Sequence, residues 1–187
     1  DLVTDELLAE LNDSYAKASG GKVSISRREL EFLLACETTG RERFLVLGLL
    51  SRHFATALWS NEKDERLTQV HYYGYADYYK QMPHIFHDAK INLNIALRVI
   101  QTGIPLRVLD VMGCGGFVLT NYREEIAEHF VNGAECVIYE DIEDMYAKAQ
   151  YYLSHDTERR QIAANGLAKV QRDFTFEQAL TGMLGAE

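Results

Sequence analysis

Three features of this 187-residue sequence predict an α/β fold in which a parallel sheet carries helices on both faces. Short β-prone runs at 56–59, 69–73, 90–95, 117–120 and 136–139 alternate with helical patterns, the rhythm of βαβ units. Hydrophobic residues make up 47% of the chain, enough at this length for the core of one ordinary domain. The opening third reads as helices without strands.

Taken in order, Thr4 is a candidate N-cap, Asp5 and Glu6 suit a first helical turn, and Leu7, Leu8, Leu11 and Tyr15 share a face. Gly20 and Gly21 break that helix. Ser26-Arg27-Arg28-Glu29 has capping-box spacing and opens a second helix through Leu30, Leu33 and Leu34. A third is expected from about 42 to 53. Between the strands, helices are expected around 77–86, 106–112 and 124–130. Asp141 can cap a helix with Ile142, Met145, Tyr146, Ala149 and Leu153 on one face. A further helix carries Ile162, Ala163, Leu167 and Val170, and Thr175 can cap a short last one. The expected organisation is a helical lead-in, 1–40, followed by a sheet-based lobe, 41–187.

Charge and composition remove several function classes. With 19 basic and 28 acidic residues the net charge is −9, a field that repels phosphate backbones, so nucleic acid is not an expected partner. A small phosphate ligand is still compatible, because it needs only a few local donors. No run of 18 apolar residues is present, so no transmembrane helix is expected. Cys36, Cys114 and Cys136 are odd in number and widely spaced, the usage of reduced thiols in a cytoplasmic protein. The chain opens at Asp1 without a charged-then-apolar leader, and a piece cut from a longer protein is expected.

An open parallel sheet binds its ligand beyond the carboxyl ends of the strands, which directs attention to the loops after Tyr73, Ile95 and Thr120. The segment Thr102-Gly103-Ile104-Pro105-Leu106-Arg107 leads into an expected helix, with Asp110 one to two turns further in. Proline favours a first helical position, and glycine lets a ligand approach the backbone closely. Amides at such a helix start form an anion seat. Asp110 could accept hydrogen bonds from adjacent sugar hydroxyls. On spacing alone, a plain helix start with an exposed Asp110 is the preferred reading.

Arg98 and Arg107 flank this segment and could make bidentate contacts to phosphate, or pair with acids on solvated faces. Asn92 and Asn94 interrupt a strand of Ile91, Leu93 and Ile95. Asn94, nearer the carboxyl end, is the one expected at the ligand crevice, and Asn92 is expected to hold a neighbouring loop. Of Tyr72, Tyr73, Tyr75, Tyr78 and Tyr79 around Gly74, one ring is expected to face a ligand, and Tyr75 is the choice. His84 and His87 share a helix face but lack companion ligands apart from Asp88, so no metal site is expected.

Between about 41 and 184 stand Gly74-Tyr75 with Tyr78-Tyr79, Met82-Pro83, Lys90-Ile91-Asn92-Leu93-Asn94-Ile95 and Gly103-Ile104-Pro105-Leu106-Arg107. In these stretches the chain resembles the glycosyltransferase-like region of the spore-maturation (CgeB-like) family, among group 1 transferases of GT-B architecture. The resemblance continues through Gly115-Gly116-Phe117-Val118-Leu119-Thr120-Asn121, Tyr151-Tyr152-Leu153-Ser154-His155 and the stretch from Arg159 to Gly166. It implies the Rossmann-like C-terminal lobe of a GT-B enzyme. That lobe would bind a nucleotide-sugar without a metal or other cofactor and pass the sugar to an unknown acceptor. It further implies that the loop at Tyr75 borders the nucleotide base, and that a second lobe supplies the acceptor pocket and a base. Related transferases place two glutamates eight positions apart on the donor. Here those positions hold Thr102, which has no carboxylate, and Asp110, whose shorter carboxylate can still accept both ribose hydroxyls.

A nicotinamide dehydrogenase would need its glycine motif directly after a strand. The cluster Gly113, Gly115 and Gly116 instead precedes one. A structural or partner-binding lobe is the other reading, favoured by Thr102.

Overall fold

The computed structural model describes residues 3–100 and 102–185. It divides into two compact units, one of residues 1–44 with 97–101 and one of 45–96 with 102–187.

In the first unit, α1 (Asp5–Ser19) starts at Thr4, whose Oγ1 accepts from Leu7 N–H, and stops at Gly20 in the left-handed conformation. No residue of α1 is fully buried: of the face predicted from periodicity, Leu7 and Tyr15 are exposed and Leu8 and Leu11 half-buried. The capping box forms as expected. Ser26 N–H donates to Glu29 Oε2 at 2.8 Å and Glu29 N–H to Ser26 Oγ at 3.3 Å. Those bonds to Ser26 hold the Glu29 carboxyl below its usual range.

The helix they open, α2 (Arg27–His53), is one helix of 27 residues where two were expected. Gly40 is the sole candidate breaker between Leu34 and Glu42. A glycine interior costs about 1 kcal/mol against alanine, too little to end a helix. Thr38 and Thr39 satisfy their hydroxyls within the helix, on Leu34 O and Ala35 O.

The second unit holds the strands. β1 (Ala57–Trp59) and β2 (His71–Gly74) pair in parallel, as do β3 (Asn92–Asn94), β4 (Val118–Asn121) and β5 (Val137–Tyr139) in the order β3-β4-β5. The expected parallel pairing is present, in two sheets rather than one. β4 and β5 are buried almost throughout, whereas β2 alternates exposed and half-buried residues, so the first pair lacks cover on both faces.

Alternation along the three-stranded sheet feeds two separate cores. Leu119, Val137 and Tyr139 join Val46 and Leu50 of α2, Met145, Ala149 and Tyr152 of α6 (Ile142–Ser154) and Ile162 of α7 (Asp156–Asp173). Val118 and Ile138 face the other way. They join Phe86 of α3 (Met82–Asp88), Val108, Val111 and Met112 of α4 (Leu106–Gly113) and Ile126 of α5 (Glu124–His129). Asp141 caps α6 through Asp144 N–H, and Thr175 caps α8 (Phe176–Leu184) through Gln178 N–H, both as expected.

The helix expected over 77–86 starts later, at Met82. Asp77 Oδ1 accepts from the N–H groups of Tyr79 and Lys80, which ties 77–80 into a turn, and Pro83 then sits in the first helical turn. The cysteines are unpaired. Only Cys136 is buried, where desolvation pushes its thiol up to about 12. Among the described residues no helix is long and apolar enough to cross a membrane.

The tightest junction lies at Gly116. A Cβ there would overlap the Phe86 carbonyl oxygen and stand 2.8 Å from Asn92 Nδ2 and 2.9 Å from Val111 Cγ1. Gly116→Ala is therefore expected to destabilise the chain by about 2–3 kcal/mol, as overpacking against backbone does. Gly48→Ala, in α2 with only Leu67 Cδ2 nearby at 3.8 Å, is expected to stabilise it by about 0.5–1 kcal/mol. Denaturant midpoints of the two variants check this, and equal midpoints would refute the packing argument.

Candidate functional site

The turn that precedes α4 gathers most of the predicted residues. Gly103 adopts φ 91°, a conformation costly for residues with a Cβ, although its neighbourhood is open. Pro105 stands one place ahead of the first helical residue, with φ −57° and ψ 125°, and its carbonyl accepts from Val108 N–H at 2.9 Å. The expected first helical position is taken by Leu106, because ψ at Pro105 is extended. The N–H groups of Leu106 and Arg107 have no acceptor within the helix, as in any first turn. Thr102 and Leu106 are exposed, while Ile104 packs against the core beneath α4.

Two charged groups act on this turn. The Arg107 guanidinium lies 5.1 Å from the Phe86 ring centroid, a cation–π contact that gives it a defined place. Glu125, in the first turn of α5, accepts from Gly103 N–H at 3.1 Å. A carboxylate of the chain itself thus occupies one donor of the expected anion seat. Nothing in the local sequence signals this contact, since an acid in a first turn is ordinarily a partner for the helix dipole.

Asp110 is half-exposed on α4 and accepts from the Tyr78 hydroxyl at 2.8 Å. Tyr78 thus bonds to a predicted residue of α4, whereas Tyr75 is the ring expected from the sequence to face a ligand. Tyr75 is 71% exposed in the same loop. Tyr72 donates to Ser60 O, and Tyr73 stacks on Trp59 with centroids 4.9 Å apart. The Tyr78–Asp110 contact spans 32 positions and has no local pattern, so spacing could not find it.

Asn94 is buried at the carboxyl end of β3 and donates to Thr120 Oγ1 at 2.9 Å, across the ladder to β4. Asn92 donates to Phe86 O at 2.8 Å and Phe117 O at 3.3 Å, the loop-holding role expected of it. Arg98 belongs to the first unit, where it pairs with Glu42 at 3.0 Å and its N–H meets Thr39 Oγ1. The acid-paired alternative describes its contacts. His87 Nδ1 lies 3.0 Å from Cys114 O, and no trio of metal-binding side chains occurs among the described residues.

The family model described as glycosyl transferase-like matches residues 27–185. No curated protein matches the chain. Solved structures similar to it include HepE from Anabaena in complex with UDP and glucose, at 13% identity and TM-score 0.60, over 78% of this chain and 45% of that one. TarM aligns at 13% identity and TM-score 0.63, over 78% of this chain and 31% of its own. A glycosyltransferase from Rickettsia africae aligns at 12% identity and TM-score 0.58, over 98% of this chain and 51% of its own. At such identities the likeness establishes the fold, parallel sheets flanked by helices as in a GT-B lobe. This chain spans about half the length of those proteins or less.

Proposed function

We propose, from the premise that this chain belongs to the glycosyl transferase-like family, that it is the C-terminal, donor-binding lobe of a glycosyltransferase. In this reading residues 1–40 lead into a nucleotide-sugar-binding lobe, 41–187, of the spore-maturation (CgeB-like) branch. It acts in the cytoplasm, which the three unpaired thiols favour. HepE was crystallised with UDP and with UDP-glucose, which supports a nucleotide-sugar donor here as well.

One observation carries the proposal: Asp110 and the Gly103–Arg107 turn lie on a single short helix and its entry, with Tyr78 bonded to the Asp110 carboxylate. Asp110 accepts the ribose hydroxyls. The amides from Gly103 to Arg107 and the positive end of α4 meet the diphosphate, with Arg107 adding fixed charge. Thr102 and Leu106 border the donor sugar, and Tyr75 offers an exposed ring to the base. Asn94 holds the crevice floor from below, whereas Arg98 stays paired with Glu42 in the first unit. Stabilising the departing diphosphate is the chemical contribution of this lobe, and it needs no metal. The acceptor pocket and the base belong to a second lobe outside these residues.

A second reading rests on Thr102 and on Glu125, which stands on the Gly103 amide. It makes the chain a nucleotide- or partner-binding lobe that has lost transfer. Binding of a nucleoside diphosphate separates the donor-binding reading from a partner-binding lobe, and turnover separates it from a nucleotide-binding lobe that has lost transfer.

Asp110→Ala is expected to weaken binding of a nucleoside diphosphate by about 1.5–3 kcal/mol, the worth of hydrogen bonds to a charged group. Calorimetry on folded parent and variant measures it, and equal affinities would remove Asp110 from the site. Arg107→Gln should weaken the diphosphate far more than the bare nucleoside, because the guanidinium meets phosphate. Uniform loss across both ligands would mean a folding defect instead. With labelled nucleotide-sugar, this chain alone is expected to bind without transferring, while a longer form with a second lobe transfers. Full-rate transfer by this chain would overturn the two-lobe reading, and binding without transfer by the longer form would favour the second.

A further inference from the structure

Asp110 poses a problem of orientation. It is half-exposed on a helix, and a side chain there is free to rotate unless something holds it. A carboxylate that must accept two neighbouring hydroxyls works in one orientation, and each rotation away from it lowers the affinity. Among the described residues, the only group that donates to this carboxylate is the Tyr78 hydroxyl, on Oδ1 at 2.8 Å.

Tyr78 is itself well placed to hold something else. The Asp77 side chain ties down the turn on which Tyr78 sits, through 3.0 Å and 2.7 Å bonds to the next two amides. Its ring meets Tyr79 edge-on at 88°, with centroids 5.1 Å apart. The phenol titrates above its usual range, first because its proton is bonded to Asp110 and then because of desolvation, so that proton stays in place at neutral pH. Phenol donors lose little conformational freedom on bonding, because only the hydroxyl and two ring torsions are restricted.

We infer that Tyr78 is a positioning residue for ribose recognition: its hydroxyl fixes the Asp110 carboxylate through Oδ1 and leaves Oδ2 to accept from the diol. The inference rests on the donor-binding reading proposed above. Tyr78 does not touch the reacting atoms, and its influence on the nucleotide passes through Asp110. The opposite arrangement, in which the phenol blocks the carboxylate and must be displaced, gives an effect of opposite sign.

The test is calorimetry of the whole 187-residue chain with UDP, GDP and ADP, each beside its 2′,3′-dideoxy counterpart. Tyr78→Phe removes the hydroxyl and keeps the ring. It is expected to weaken the ribonucleotide about three- to tenfold, the share of one hydrogen bond, and to leave the dideoxy form unchanged. In an Asp110→Ala background, Tyr78→Phe should have no further effect. Equal loss on both nucleotide forms, no loss on either, tighter binding, or an undiminished effect without Asp110 would each overturn the inference. A parent chain that binds none of the nucleotides, or does not distinguish ribo from dideoxy forms, would overturn the donor-binding reading and this inference together. A parent that does distinguish them, with a Tyr78→Phe variant that behaves identically, would overturn this inference alone.

Discussion

The close approach of backbone at Gly116 governs how the second unit is assembled. The end of α3, the start of β3 and the last turn of α4 all come within contact of a position that has no room for a methyl group. Asn92 completes the junction by donating to Phe86 O, across a gap that the missing side chain leaves open. Because α4 is fixed there at Val111, its first turn and Asp110 are fixed with it. The sheet adds the second restraint. Residues of β4 alternate between two cores, so any rotation of the strand would expose one set to solvent.

The candidate site is built on what that junction holds. Arg107 reaches back over Phe86, one of the residues that meet at Gly116, so the packing that fixes the helix also places its cation. The acids nearby set the energetics of anion binding. In the proposed donor-binding reading, a phosphate would have to exchange with Glu125 for the Gly103 amide, and so gain the difference between two acceptors rather than a whole hydrogen bond. In a chain of net charge −9, affinity for an anion has to come from such local donors, because the overall field opposes it.

Much of the fold was legible because it is written in local rules. Thr4, Ser26 with Glu29, Asp141 and Thr175 each cap the helix expected of them, since capping needs only residues within a turn of one another. Each strand overlaps the β-prone run that signalled it, with ends displaced by no more than two residues, for alternation and β-branching are short-range properties. Helix ends were less legible. The join within α2 and the late start of α3 depend on a weak glycine and on an Asp77 turn, and their energies differ from the alternative by only about a kilocalorie.

The sequence by itself determined the α/β class, the helix starting at the Gly103–Pro105 turn, the carboxylate eight positions after Thr102 and the net charge of −9. Tertiary structure alone decided which tyrosine meets Asp110, that Glu125 rests on Gly103, and that Arg98 pairs with Glu42. It also decided that the strands form two sheets. The reason is distance along the chain. A cap or an alternating strand is specified within a few residues, whereas these contacts join groups 22 to 56 positions apart and exist only once the chain has folded around them.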